Sequence, residues 1–197
     1  MTKVYTAASM SLDGYISGPS ESGFEHLFQW YGNGDVAVPT SDPGMTLQLT
    51  EPSARHFRAI ADITGALVVG RKVFDLTGGW DGNHPLGRPV VVVTHRVPDG
   101  WPRDDAPFMF VTDGIEKAVE EARALAGGRA VGVNGGTIAR QCLDAGLLDE
   151  IWVELVPVLL GGGTPFFDQL TSAPVLLDGP TVLEGTDVTH LRYRVRR

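Results

Sequence analysis

The sequence is short of the residues that several classes of protein require. It contains one cysteine, Cys142, so no intramolecular disulfide can form. Its 24 acidic residues outnumber its 16 basic ones, which gives a formal net charge of −8 and argues against a basic face for nucleic acid. No apolar run approaches the roughly 20 residues that span a membrane, and the first residues do not resemble a signal peptide. We therefore expect a cytoplasmic protein that binds neither nucleic acid nor membrane.

Motifs of several common enzyme classes are also missing. There is no G-x-x-x-x-G-K-[ST] phosphate loop, no G-x-G-x-x-G after a predicted strand and no G-x-S-x-G nucleophile elbow. The five histidines show no paired spacing typical of metal ligands, so no metal site is expected. These absences remove most of the support for a hydrolase or a metalloenzyme.

Apolar periodicity predicts strands that alternate with helices. Strands are predicted at 3–9, 66–69, 90–94, 108–111, 130–133 and 151–160, and helices at 51–64, 115–126 and 137–146. The continuous apolar runs are typical of parallel strands covered on both faces, whereas 174–183 and 187–195 alternate like an antiparallel hairpin. The sequence thus predicts a three-layer α/β (αβα) fold with a mostly parallel central sheet and an antiparallel C-terminal hairpin.

Residues 18–48 form an excursion rich in Gly, Pro, Ser and Asp, with aromatic residues interspersed. Because long loops in a domain are usually functional, we expect an ordered lid or pocket wall within one domain of residues 1–197. Phe28 and Trp30 could stack there on a flat heterocyclic substrate. The alternative is that both rings pack within the lid or the core.

Glycines and polar residues follow three predicted strands at their carboxyl ends, the edge where open α/β sheets bind ligands. Glycine lets a phosphate approach backbone N–H groups, and arginine offers a fork that fits phosphate. Each junction alone could be a solvated turn, but together they predict a site for a phosphorylated dinucleotide. The three junctions are Gly70-Arg71, Thr94-His95-Arg96 and Asn134-Gly135-Gly136-Thr137.

These junctions, with SLDGYISGP at 11–19 and GLLDEIWVELVPVLLGGGTPFF at 146–167, resemble the dihydrofolate-reductase-like superfamily. The likeness is closest to stand-alone relatives of the reductase domain of the bifunctional riboflavin-biosynthesis deaminase/reductase. It implies NADPH as the cofactor and hydride transfer to a C=N or C=O group of a small heterocyclic or carbonyl substrate. The activity implied is similar to that of 5-amino-6-(5-phosphoribosylamino)uracil reductase.

The resemblance also implies individual roles. The first junction would contact phosphate, the second would recognise the adenosine 2′-phosphate, and the third would lie under the pyrophosphate. It adds Ile138 to the pyrophosphate site, and Ala7, Ala8 and Ile16 to the nicotinamide site. It further implies a cis peptide between Gly135 and Gly136; the alternative is a trans turn with positive φ at one glycine.

Two carboxylates are candidates for the proton that reduction requires. Asp13 follows the first strand, although an Asp-Gly turn is the alternative interpretation. Glu154 shares a strand face with Trp152, and the resemblance aims that face at the substrate pocket; an edge or interface position is its alternative. Because Glu154 lies among apolar residues, we expect a raised pKa.

A second function class and an assembly state complete the expectations. Folate reductases carry an acid near the position of Ser53, and its absence here supports a non-catalytic nucleotide-binding sensor as the alternative function. Apolar residues in 151–160 and 174–195 exceed what one face needs, and relatives pair through this side. We therefore expect a homodimer that binds a small-molecule substrate.

Overall fold

The computed structural model describes residues 2–196, and its elements alternate much as the apolar periodicity predicts. The helices are α1 Phe24–Leu27, α2 Glu51–Ile63, α3 Arg71–Leu76, α4 Ile115–Leu125 and α5 Thr137–Asp144, with 3-10 turns at Gln29–Gly32 and Gly78–Gly82. The strands are β1 Val4–Ser11, β2 Tyr15–Ser17, β3 Val36–Pro39, β4 Thr46–Leu49, β5 Thr64–Gly70, β6 Val90–Val93, β7 Phe108–Val111, β8 Ala130–Val133, β9 Glu150–Val156, β10 Thr164–Pro165, β11 Leu177–Gly185 and β12 Val188–Val195.

Eight of these strands form one sheet in the order β11-β12-β9-β1-β8-β5-β6-β7. The six strands from β9 to β7 run parallel, while β12 pairs antiparallel with β9 and β11 pairs antiparallel with β12. The predicted α/β class, the mostly parallel sheet and the antiparallel C-terminal hairpin are thereby confirmed. The buried apolar runs of β5 and β6 lie within the sheet, where both faces of a parallel strand are covered.

Helices cover the two faces of this sheet with different partners. On one side, here called the α5 face, α4 and α5 pack their apolar stripes on β1, β5, β6, β8 and β9. On the other side, the α2 face, the cover consists of α2, α3 and the β3–β4 hairpin. Among residues 2–196, no helix combines the length and apolar character needed to cross a membrane.

The 18–48 segment has more regular structure than its composition indicates. It contains α1, a 3-10 turn and the β3–β4 hairpin, which packs Val38, Leu47 and Leu49 against Ala54 of α2 and Val156 of β9. Val36, Val38, Leu47 and Leu49 alternate with exposed residues, which is the period of a strand. The Gly and Pro residues around them obscured that period in the sequence.

Several predicted boundaries differ from the observed ones by one to four residues, and two of them have a clear physical reason. The strand predicted at 151–160 ends at Val156, because Pro157 has no N–H and the Leu160 and Gly161 N–H groups donate instead to the Asp13 carboxylate. The helix predicted at 51–64 ends at Ile63, and Gly65 already belongs to β5. A Cβ on Gly65 would lie 2.1 Å from the Ala126 carbonyl oxygen, so close backbone packing requires this glycine.

Candidate functional site

The carboxyl ends of β5, β6 and β8 border a cleft of about 590 Å³. That volume is in the range of small-molecule and cofactor sites. The structure therefore brings the three predicted junctions together, because parallel neighbouring strands end at the same edge of the sheet. The predicted cofactor residues that line the cleft are Ile16, Gly70, Arg71, Thr94, His95, Arg96, Asn134, Gly135, Gly136, Thr137 and Ile138.

Asn134 joins two of the junctions through its side-chain amide. Its Oδ1 accepts a hydrogen bond from the Gly70 backbone N–H at 2.9 Å, and its Nδ2 donates to the Gly135 carbonyl at 3.0 Å. Its own backbone N–H donates to Val68 on β5 at 3.1 Å. The Asn134 side chain thus sets the relative position of the first and third junctions.

Arg71 links the first junction to the second. Its Nε donates to both carboxylate oxygens of Asp75, at 2.7 and 2.9 Å, and its Nη1 donates to the Arg96 carbonyl at 3.0 Å. The same carbonyl accepts from Thr94 Oγ1 at 2.7 Å. The Arg71 guanidinium is therefore oriented at the cleft wall before any anion arrives, which lowers the ordering cost of a phosphate contact.

The glycine pair turns the chain without a cis bond, so that prediction is wrong. Gly136 has φ 70° and ψ −136°, a conformation that glycine adopts readily, and its N–H donates to the Phe166 carbonyl at 3.0 Å. Cis peptides in the described chain precede prolines only, at Pro102, Pro174 and Pro180. The trans turn with positive φ is the alternative that the structure adopts.

The sheet separates beside this glycine pair. β1 pairs with β8 only from Val4 to Thr6, whereas its ladder with β9 continues to Ser11. Past Thr6, Ala8 faces the third junction, and a Cβ on Gly135 would lie 3.5 Å from the Ala8 Cβ and 3.1 Å from Ile16 Cδ1. Ala7 lies on the opposite side of β1, against the cluster that contains Trp152. The predicted nicotinamide residues thus flank the end of the β1–β8 ladder.

The two candidate acids have different surroundings. Glu154 is buried on β9 between β12 and β1, which excludes the edge-strand alternative, and its Oε1 lies 2.9 Å from His56 Nε2 on α2. Asp13 is exposed and holds the loop after β9 through the Leu160 and Gly161 N–H groups. The Ser11 hydroxyl and these backbone donors lower the pKa of Asp13. This geometry matches the turn alternative for Asp13.

Neither of the two predicted stacking residues lines the cleft, and they differ in their exposure to solvent. Phe28 is 40% exposed and stacks between Phe24 and Tyr31, with ring centroids 6.0 and 5.3 Å away. Trp30 is 2% exposed, and its Nε1 donates to Ser9 Oγ at 3.0 Å. Phe28 therefore has a surface that a ligand could reach. Trp30 packs in the core, which is the alternative to stacking on a substrate.

A buried polar cluster on the α2 face was not expected from the sequence. His56 stacks on His190 with centroids 4.0 Å apart, and His190 Nε2 lies 3.0 Å from Ser53 Oγ. Burial and the neighbouring His56 lower the pKa of His190 to about 3. The available signal was helical spacing, because Ser53, His56 and Ile60 share the buried side of α2.

Comparisons with known proteins agree with this architecture. The model of the RibD C-terminal domain family matches residues 2–191, and the chain belongs to that family. Membership supports an oxidoreductase of the reductase type. A search of curated proteins found no match.

Solved structures show the same fold at low sequence identity. A Shewanella sp. PV-4 protein assigned to riboflavin biosynthesis is 24% identical, with 100% of both chains covered and a TM-score of 0.72. Dihydrofolate reductase from Enterococcus faecalis, solved with NADP(H), is 14% identical, with 99% of this chain and 97% of that chain covered and a TM-score of 0.58. The Thermotoga maritima diaminohydroxyphosphoribosylaminopyrimidine deaminase/5-amino-6-(5-phosphoribosylamino)uracil reductase is 13% identical at a TM-score of 0.62; the match covers 99% of this chain but 57% of that one. The dihydrofolate-reductase-like fold is therefore confirmed.

Proposed function

We propose that this protein is an NADPH-dependent reductase that transfers hydride to a C=N or C=O group of a small heterocyclic or carbonyl substrate. The observation that carries the proposal is the convergence of all three phosphate-type junctions on one cleft. The E. faecalis neighbour was solved with NADP(H), and the T. maritima neighbour is a uracil-type reductase by name, which supports the same cofactor and substrate class.

The cleft residues fit the parts of NADPH in order. His95, Arg96 and Arg71 supply positive or hydrogen-bonding groups for the 2′-phosphate. Gly135 and Gly136 leave space for the pyrophosphate before the first turn of α5, where backbone N–H groups have no partner within the helix. The nicotinamide would then lie near Ala8 and Ile16, where the β1–β8 ladder ends. NADPH supplies the hydride, and the chain binds and orients it.

The proton source that we favour is Glu154 rather than Asp13. Glu154 and His56 form a buried carboxylate–imidazole pair on the α2 face, to which Ala7 also belongs. Such a pair can hold a proton away from bulk water, although neither residue lines the cleft itself. Asp13 is exposed, and its lowered pKa favours the charged form, which cannot donate a proton.

Cofactor choice provides the first test. A charge-assisted contact to phosphate is worth about 1.5–3 kcal/mol, so Arg71→Ala and Arg96→Ala should each weaken NADPH at least about tenfold while changing NADH much less. Arg58→Ala, on an exposed position of α2, is the matched control. Titration of intrinsic fluorescence measures both affinities. Equal affinity of the parent protein for NADPH and NADH would contradict the proposal.

Turnover separates the reductase from the sensor alternative. NADPH oxidation should be followed with pterins, aminopyrimidines and quinones as acceptors. Oxidation that depends on one acceptor supports the reductase, whereas tight NADPH binding without turnover of any acceptor supports a nucleotide-binding sensor. The sensor keeps one observation in its favour, since Ser53 stands where folate reductases carry an acid.

We also propose that the protein is a homodimer paired through the C-terminal hairpin. Leu176 and Val182 expose 62% and 51% of their surface on or beside β11, which is an edge strand. Covering that edge with a second copy would remove exposed apolar area and unpaired backbone groups. Light scattering at micromolar concentration should give twice the mass of one chain, and Val182→Lys should shift the protein to monomer.

A further inference from the structure

The buried cluster of His56, Glu154 and His190 gathers three metal-ligating side chains from three different elements. One donor atom of each lies within 4.8 Å of the other two, and all three residues are nearly inaccessible to solvent. Glu154 and His190 are cross-strand partners in the β9–β12 register, and α2 places His56 over them. A pair of imidazoles with one carboxylate is a ligand set that suits zinc and related divalent transition ions.

A second observation points to a ligand at the same place. His190 Nδ1 is buried and has no hydrogen-bond partner, although its other ring nitrogen lies 3.0 Å from Ser53 Oγ. A buried nitrogen without a partner is costly, so the site has a free coordination or hydrogen-bonding position. Histidines that bind metals usually donate their second N–H to a neighbouring oxygen, which is the arrangement that Ser53 offers to Nε2.

We propose that His56, Glu154 and His190 form a binding site for a divalent transition-metal ion of the zinc type. Ligands about 2.0–2.1 Å from a tetrahedral ion lie roughly 3.4 Å apart. On binding, His56 Nε2 and Glu154 Oε1, now 2.9 Å apart, must therefore separate slightly, while donor atoms as far apart as 4.8 Å must approach each other. An imidazole also keeps its ion in the ring plane. The stacked His56 and His190 rings, now 22° from parallel, must therefore turn on binding. A water molecule completes the coordination, as in sites with three protein ligands.

This site goes beyond the proposed reductase function and can be tested without cofactor or substrate. If the ion holds the Glu154 carboxylate, that group is not free to relay a proton. Metal-loaded and metal-free protein would then differ in any reduction that needs Glu154. Failure of NADPH to bind would leave the metal proposal standing, and failure of metal to bind would leave the cofactor proposal standing.

Two tryptophans beside the cluster make binding visible. Trp30 contacts His190 edge-on at a centroid distance of 5.2 Å, and Trp152 lies 5.6 Å from His56. Turning of the two imidazoles changes the surroundings of both indoles. A paramagnetic Co²⁺ ion at this distance should also quench their fluorescence, and its visible absorption reports the coordination number.

The experiment uses the full chain, freed of metal by dialysis against a chelator, with Zn²⁺ and Co²⁺ as probes. Calorimetry with Zn²⁺ should show one ion per chain with a dissociation constant below about 10 μM, or about −7 kcal/mol. Co²⁺ should quench tryptophan fluorescence and give the intense visible bands of a four- or five-coordinate site. Zinc should also raise the thermal midpoint by mass action.

Variants then assign the ligands. His56→Gln, Glu154→Gln and His190→Gln should each weaken Zn²⁺ at least tenfold, whereas His26→Gln, on an exposed histidine of α1, should bind as the parent does. Circular dichroism identifies any variant that fails to fold. The affinities of the folded variants, together with the Co²⁺ spectrum of the parent protein, then decide whether the three residues are ligands. No Zn²⁺ uptake by the parent at about 100 μM, a six-coordinate Co²⁺ spectrum, or unchanged affinity in the folded cluster variants would each overturn the proposal.

Discussion

Glu150 and Glu154 lie four residues apart on the same side of β9, and both are buried, at 3% and 5% exposure. Their partners differ. Glu150 accepts hydrogen bonds from Lys3 Nζ at 2.8 Å, from Arg192 Nε and Nη2 at 2.9 Å each, and from Trp152 Nε1 at 3.0 Å. Glu154 contacts the ring nitrogen of His56. One carboxylate is saturated with donors, and the other keeps capacity for a proton or an ion.

The position of each glutamate along the strand explains the difference. At the Glu150 end, the side chains of Lys3 and Arg192 reach solvent, so permanent cations can pair with a buried carboxylate and remain hydrated. The Arg192 guanidinium also lies 4.4 Å above the Trp152 ring centroid. At the Glu154 end, α2 and Trp30 exclude water, and the neighbouring groups are imidazoles and hydroxyls. A structural ion pair therefore forms at the Glu150 end of β9, whereas the polar groups at the Glu154 end can still bind a proton or an ion.

The largest effect that would test this comparison is on stability. Glu150→Gln should lower the free energy of unfolding by about 2 kcal/mol, because it leaves Arg192 and Lys3 without their anion; partial exposure of both cations reduces the usual cost of breaking a buried pair. Glu154→Gln should cost less than half as much, since an amide can still bond to His56. Urea unfolding at pH 7 measures both. Equal losses would mean that the two carboxylates do not differ in structural role.

The pH dependence of the free energy of unfolding should also show that the ionised Glu150 carboxylate stabilises the fold. Burial alone raises the pKa of Glu150, but hydrogen bonds from Arg192, Lys3 and Trp152 outweigh it and lower that pKa from 4.5 to about 2. The native state therefore binds this proton less readily than the unfolded state, so the stabilisation is complete above about pH 4.5 and is lost as the pH falls toward 2. The difference in unfolding free energy between the parent and Glu150→Gln should shrink over that interval. A constant difference from pH 5 to pH 2.5 would show that Glu150 is not the titrating group.

The smallest expected effect concerns the third junction, where the cleft meets the end of the β1–β8 ladder. Gly135→Ala places a methyl group 3.1 Å from Ile16 Cδ1 and 3.5 Å from the Ala8 Cβ, beside the end of the β1–β8 ladder. NADPH affinity should fall about tenfold, or 1.4 kcal/mol, while stability changes little because the φ of Gly135 is not positive. Gly32→Ala, where a Cβ meets nothing within 4 Å, is the control. Unchanged NADPH affinity in Gly135→Ala would remove the third junction from the cofactor site.

Much of the cleft could be predicted from sequence because of how parallel strands assemble. Gly70, Thr94 and Asn134 each follow an apolar run, and once those runs are neighbouring parallel strands their ends must meet at one edge. The functional candidates of the α2 face followed no such rule. Strand alternation and the family resemblance indicate Glu154, whereas the sequence spacing of His56 and His190 indicates nothing.

Outside the 18–48 segment, the sequence by itself determined the order of the main strands and helices, the parallel centre of the sheet, the antiparallel hairpin and the three junctions. These features depend on local periodicity and on glycine, proline and charge at fixed points. Only the tertiary structure decided which buried polar groups meet. His56 and Glu154 are separated by 98 positions, and Ser53 and His190 by 137. Their contacts depend on how α2 sits on the sheet and on the register between β9 and β12. The trans peptide at Gly135-Gly136 is the form that a non-proline bond adopts by default, and only the family resemblance implied a cis bond there.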